Sequence, residues 1–565
     1  MLLDTASVSP HVSHSAQWRV ARSEVDGSPP AGDAMPEPPH PQPPSPLCRE
    51  RERSLGLRSE VGPSKDGPLL LAIDQGTSST KVILFDLDGR VVASAGGETP
   101  VYYPRPTWME SDAEAWWRTI TASIRRVLAT PGVRPARVRA VGVCGFMHTL
   151  VPVDQAGRAL HAPILWPDQR ASAEAEELAA HSDLFARAVG RPPTTMMAAP
   201  RLRWLARHHP EALARAHTFL LSKDIIRHRL TGVFATDRHD AAGTGLLDRS
   251  TGNWSAEVLA LVGVSPERMP PILRPDQIAG AVNPDAAAET GLSAGTPVVC
   301  GTGDWFCTVI GSGCYLPERI CFYLGTAGIL GAFESEVELD RLGQTRYFGS
   351  VTATGSALRW ARDLFRPGDD SGDDDDSCFE RLCDEAACSE PGARGLLFLP
   401  HLMGERGGGM RPHARGSLYG LTLAHRRPDI VRAVLEGAAF WLRTTTALYF
   451  GGEPVGDFLA MGGGARSRLW RRVFAAVFNR ALLVPEVVDG GALGAAMLAA
   501  VGSGLASSYA ELGRRWTRIV EVEQPDPTLV DRYARIYEDF GRLEAALSCL
   551  FAQRNSGLGV DGGSR

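Results

Sequence analysis

The stretch Leu69-Leu-Leu-Ala-Ile-Asp-Gln-Gly-Thr-Ser-Ser-Thr-Lys-Val-Ile-Leu-Phe85 leaves the chain few folds to choose from. One apolar run stops at Asp74-Gln-Gly-Thr77, a second returns from Lys81 to Phe85 and ends at Asp86-Leu-Asp-Gly89, and Val91-Val-Ala93 follows. Short apolar runs joined by small, turn-forming residues predict an antiparallel meander. A helix comes next. Ser111, with Glu114 three residues on, has the spacing of a capping box, and Trp116, Ile120, Ile124 and Val127 fall on one helical face. Val138 to Val143 then predicts a buried strand ending at Cys144-Gly145.

Strand, hairpin, strand, helix, strand is the opening of a ribonuclease-H-like domain. A second strand and glycine turn, Ile320-Cys-Phe-Tyr-Leu-Gly-Thr-Ala-Gly328, predicts a second such domain. Size and linker priors put the first at 67–316 and the second at 317–552. Residues 1–66, with Pro36-Glu-Pro-Pro-His-Pro-Gln-Pro-Pro-Ser-Pro46, lack the amide donors and apolar side chains of a core. They are expected to be a disordered extension, as is the tail 553–565. The like-charged run Gly368 to Ser377 is expected to be a solvated loop rather than a calcium loop, for it lacks the bidentate Glu.

Composition narrows the partners. The chain is 44% hydrophobic with a net charge of -6 and no dense Lys/Arg run, which argues against nucleic acid as a partner. Ala492 to Ala506 is the longest apolar stretch and glycines break it, so no membrane span is expected. Ten cysteines without a CxxC fit reduced, buried thiols in a cytoplasmic protein, including the seven-residue series Cys300, Cys307, Cys314 and Cys321.

Chemistry gathers at three glycine turns. In Asp74 to Lys81, Gly76 lets backbone amides approach an anion. Thr77, Ser78 and Ser79 add hydroxyl donors, Lys81 adds charge, and Asp74 could anchor magnesium through water. The same residues would also make a hairpin with a polar tip. Leu324-Gly-Thr-Ala-Gly328 repeats the pattern, and Met461-Gly-Gly-Gly-Ala-Arg-Ser467 joins a strand to an amphipathic stretch carrying Leu469, Val473 and Val477. Asp304, between Gly303 and an apolar run, suits either a general base or a helix N-cap.

Taken together, AIDQGTSSTK (72–81), GFMHTLVPVD (145–154), ILWPDQR (164–170), DAAGTGLLD (240–248), GTGDW (301–305), YLGTAG (323–328), GGGARS (462–467) and GALGAAMLA (491–499) resemble the FGGY carbohydrate kinases over about 70–550. The motifs look most like those of xylulokinases, with gluconokinases next. The resemblance implies an α/β, actin-like ATPase fold: two ribonuclease-H-like domains around a central cleft, the first binding sugar and the second ATP with Mg2+. It matches phosphate loops to Gly76–Lys81 and to Gly325-Thr326, and an adenosine loop to Gly462, Gly463, Gly464, Ala465 and Arg466. It matches the base to Asp304, and sugar contacts to Met147, His148, Trp166 and Asp168. Its partners are a sugar and ATP, and a homodimer stays open.

Departures fall in the sugar half. Trp305 stands where xylulokinases carry Asn, Pro167 where Asn is common, and Gly404-Glu-Arg-Gly-Gly-Gly409 replaces a proline-containing loop. Trp305 either lines the sugar pocket or packs inward. His148 could be a hydrogen-bonded loop histidine, Trp166 a core residue and Asp168 a turn cap. Other readings of the whole chain are a gluconokinase or related sugar kinase, a silent sugar- or nucleotide-binding regulator on the same fold, and an actin-like or chaperone ATPase.

Overall fold

The computed structural model describes residues 67–316, 318–333, 346–365, 375–405, 411, 414–450 and 456–557. The extension 1–66, most of the acidic run at 368–377 and residues 406–409 lie outside them.

The meander forms as β1 (Leu69–Gln75), β2 (Ser79–Asp86) and β3 (Val91–Glu98), followed by α1 (Ala113–Leu128) and β4 (Val138–Gly145). β1 pairs antiparallel with β2 and parallel with β4. Alternation along β1 divides its side chains between two cores. Leu69, Leu71 and Ile73 face α1, packing with Trp116, Ile120, Ile124 and Val127. Leu70 and Ala72 join the opposite core, which continues into the second half of the chain. The start of α1 differs from expectation. Asp112 is its N-cap, accepting from the Glu114 N–H, whereas the Ser111 hydroxyl donates to the Pro100 carbonyl and accepts from the Trp116 indole. Asp112 wins the cap because a carboxylate takes an amide proton with full charge, and Ser111 already serves the strand before it.

Further along run α2 (Ser222–Thr231), α3 (Arg238–Gly243), β5 (Ile278–Ala281), β6 (Pro297–Val299), β7 (Thr302–Gly303) and α4 (Asp304–Gly311). The first sheet has the order β3-β2-β1-β4-β6-β5, with β7 also beside β4. The second half supplies β8 (Arg319–Leu324), β9 (Gly328–Ala332), β10 (Arg346–Val351), α5 (Gly355–Phe365), α6 (Arg427–Phe450), β11 (Asp457–Met461), α7 (Arg468–Phe478), β12 (Leu482–Pro485), α8 (Gly490–Gly502), β13 (Ile519–Glu523) and α9 (Pro527–Gly557). Its sheet runs β10-β9-β8-β11-β12-β13. Read from the β3 and β10 edges, both sheets show the same pairing senses: antiparallel, antiparallel, parallel, parallel, antiparallel. The chain thus carries one topology twice. α9 runs through residue 553, where the tail was expected to begin, to Gly557, the last described residue.

α8 packs on β1 and β4 of the first sheet and on α4, which in turn touches β8 of the second. A Cβ on Gly494 would overlap the Cys307 carbonyl, and one on Gly142 of β4 would overlap the Ala495 carbonyl. Small residues therefore let α8 cross α4 and β4 at backbone distance. The cysteines at 300, 307, 314 and 321 are buried free thiols. No helix among the described residues is long and apolar enough to cross a membrane.

Candidate active site

The first strands of the two sheets, β1 and β8, each end in a glycine turn on one cleft with a volume of about 680 Å3. At the first turn, a Cβ on Gly76 would meet the Ser79 carbonyl at 2.7 Å. Across the cleft, Gly462 has φ 86° and no room beside the Leu324 carbonyl, so only glycine serves there.

Asp74 sits near the end of β1, where the parallel register sets Cys144 opposite it; the thiol donates to Oδ1 at 3.3 Å. Burial pushes the Asp74 carboxyl up to about 6, against the Cys144 thiol, with the Asp489 charge adding and Lys81 opposing. Lys81 Nζ is 3.0 Å from Asp489, which Arg466 approaches to 2.5 Å from the other side. Asp489 is the N-cap residue of α8, and Gly491, two residues on, is so close that a Cβ there would stand 2.5 Å from Asp74 Oδ2.

Asp304 is the first residue of α4, not its cap; Gly303 holds the cap position, and Asp304 Oδ1 accepts from the Trp305 N–H at 2.8 Å. Its carboxyl lines the cleft. Burial pushes it up to about 7, the Asp74 charge adds, and the Trp305 N–H opposes. A carboxyl that gives up its proton near neutrality is poised to take one from a hydroxyl. Met147, His148 and Trp166 line the same cleft. His148 has φ 71°, a left-handed backbone that a non-glycine residue adopts under strain, and its Nδ1 is 2.8 Å from the Gly243 carbonyl. The Trp166 indole donates to Thr77 Oγ1 at 3.0 Å, tying the Trp166 loop to the first glycine turn.

Residues 69–311 match the model for the N-terminal domain of the FGGY family of carbohydrate kinases, and residues 298–503 match the model for its C-terminal domain. The chain belongs to that family. It is 32% identical over 506 residues to a xylulose kinase of Bacillus subtilis, covering 85% of this chain and 98% of the relative. Among solved structures, the xylulose kinase of Rhodospirillum rubrum is similar with a TM-score of 0.68 and 31% identity, covering 86% of this chain and 100% of that one. The gluconate kinase of Lactobacillus acidophilus is similar with a TM-score of 0.71 and 25% identity over the same shares. The FGGY kinases are ATP-using sugar kinases of actin-like fold, and the duplicated sheet has that form.

Most of the residues expected from the sequence of this FGGY kinase meet at the cleft. Asp74, Gly76, Thr77, Ser79, Lys81, Met147, His148, Trp166, Asp304, Trp305, Gly325, Thr326, Gly462, Gly463, Gly464 and Arg466 all line it. Three do not. Asp168 is wholly buried, ion-paired to Arg170 at 2.8 Å and accepting the Met109 N–H at 2.5 Å, so its carboxylate is spent on the protein. Ala465 is also wholly buried, and Ser78 Oγ is turned to the Arg359 guanidinium. Sequence reasoning missed Asp489, Tyr323 and Trp470 at the cleft. The motif at 491–499 pointed at α8 without showing that the residues before it reach Lys81.

Proposed function

We propose that this FGGY kinase transfers the γ-phosphoryl group of ATP to a hydroxyl of a pentulose, D-xylulose being the sugar we assign. The observation that carries the reading is the Asp304 carboxyl, which lines one cleft together with Met147, His148, Trp166 and the glycine turns at Gly76, Gly325 and Gly462, with its proton held only to about pH 7. Asp304 takes the proton of the attacking hydroxyl. Lys81 and the amides around Gly76 and Gly325 bind phosphate oxygens, and Gly462–Gly464 with Arg466 form the wall for adenosine. Asp74, at the cleft beside the first glycine turn, would hold Mg2+ through water, since that ion keeps several of its waters, and when bound the ion would neutralise phosphate charge. The lobe at 67–316 is assigned to the sugar and the lobe at 317–552 to ATP. The relative named xylulose kinase supports the choice of sugar.

A second reading, a sugar acid, is favoured by Arg191 and Arg249, two guanidinium groups on the sugar side of the cleft that suit a carboxylate. ADP release with D-xylulose, L-xylulose, D-ribulose, L-ribulose, gluconate and glycerol tests both. The fastest turnover is expected with D-xylulose. Fastest turnover with gluconate selects the second reading, hydrolysis that ignores sugar indicates an ATPase, and no turnover at all indicates a silent regulator.

A further inference from the structure

Behind Asp304, away from the cleft, four ionic side chains are closed off from solvent together. Lys223 Nζ lies 2.6 Å from Asp224, 2.9 Å from Asp237 and 3.1 Å from Asp240, and all four side chains are 0% exposed. Arg227, equally buried, pairs with Asp224 at 2.8 Å. Burial pushes the Asp240 carboxyl well above the ordinary range; Lys223 opposes, and the Asp237 and Asp224 charges add to the push. Although burial also works against the Asp237 charge, Lys223, His239 and the Thr302 hydroxyl hold its carboxyl below the ordinary value. Lys223 and Arg227 thus set positive charge among the three buried carboxyl groups, the pairing a dry site requires.

A buried ionic cluster adds little net stability over well-packed apolar residues, so its value has to be sought in what it holds. This one reaches two loops. Toward the base, Thr302 Oγ1 donates to Asp237 Oδ1 at 2.7 Å and Arg227 donates to the Cys300 carbonyl at 3.2 Å. A Cβ on Gly303 would stand 3.0 Å from Asp240 Oδ1. These contacts hold the segment that leads into Asp304 at Cys300, Thr302 and Gly303. Toward the sugar contacts, Ser222, next to Lys223, donates to the Phe146 carbonyl at 2.7 Å, and a Cβ on Gly145 would stand 3.1 Å from Lys223 Cβ. Asp237 also caps α3, accepting from the His239 N–H at 2.9 Å, and the far end of α3 presents the Gly243 carbonyl to His148.

We propose that Lys223, Asp237 and Thr302 are positioning residues, a buried ion cluster coupling the loop that carries Asp304 to the loop that carries Met147 and His148. The base and the sugar contacts are thereby kept in a single register. The idea rests on Asp304 being the base.

Thr302→Val tests it by removing one hydroxyl while keeping the side-chain shape. Hydrogen exchange on the full chain without sugar is expected to quicken at 300–306 and also at 145–148 and 238–243, and Thr302→Ser restores all three. With the best sugar of the panel, kcat is expected to fall about tenfold with the KM for ATP little changed, because a misplacement of about 1 Å can cost ~10²-fold. Exchange confined to 300–306, or an unchanged kcat in a folded Thr302→Val protein, overturns the proposal. Should that variant fail to fold, Ser222→Ala works from the opposite end and is expected to quicken exchange at 300–306; no change there overturns it too. Exchange is read without turnover, so coupled loops in a chain that phosphorylates nothing would refute the assigned reaction and leave the coupling intact.

Discussion

At the residue scale, the role proposed for Asp304 ties rate and stability to one proton. In that role only the carboxylate would accept the hydroxyl proton, so kcat/KM is expected to fall as pH drops through about 7. Asp304→Asn keeps the size and loses the basicity; kcat should fall by ~10²–10⁴ while calorimetry finds ATP binding nearly unchanged. A variant turning over at the wild-type rate would remove Asp304 from the chemistry. Stability runs the other way. The folded-state value lies above the unfolded one, so the native state holds the proton more tightly, and stability present at pH 4 is lost as pH rises through 7. The Asn variant escapes that loss and should gain Tm relative to wild type at pH 8 but not at pH 4. Trp305 both lines the cleft and is only 4% exposed, with its ring edge-on to Tyr323 at 6.5 Å. Trp305→Asn should therefore lower Tm and also raise kcat/KM for D-xylulose relative to the other sugars of the panel, by about tenfold, since one contact rarely gives more than ~10–200-fold. A lower Tm with those kcat/KM ratios unchanged would make Trp305 a packing residue alone.

At the scale of elements, the strands and the glycine turns were legible in the sequence because each is written within about ten residues: apolar run, small-residue turn, apolar run. What was not legible depends on distant partners. Asp168 follows Trp166 just as a sugar contact would, yet its fate is set by Arg170 and the Met109 amide. Asp489 gave no local sign because its meaning comes from Lys81, at the other end of the chain. Ser111 and Asp112 compete for one cap, and a spacing rule cannot rank them. α8 shows the same dependence on packing. In an isolated helix Gly494→Ala would gain about 1 kcal/mol. Here the new methyl would overlap the Cys307 carbonyl of α4, and forcing apart two packed backbones costs about 1–3 kcal/mol or more. Gly494→Ala is expected to lower Tm by several degrees, and an unchanged or raised Tm would show that the crossing has slack.

At the scale of the molecule, the first strand begins at Leu69, two residues after the first described residue, Gly67. A chain beginning at Ser64 should keep its solubility, Tm and sugar-dependent turnover; loss of any of them would give the Pro-rich extension a role. The duplicated sheets suggest two bodies, but α8 makes them one task for the folding chain. Residues 490–502 cover the face of a sheet whose central strands, β1 and β4, are complete by residue 145. Translation proceeds at about 5–20 residues per second, so that apolar face waits roughly 20–70 s for its cover. The amino-terminal half thus leaves the ribosome unfinished, and its exposure to chaperones and to aggregation lasts until the helix that seals it has been made.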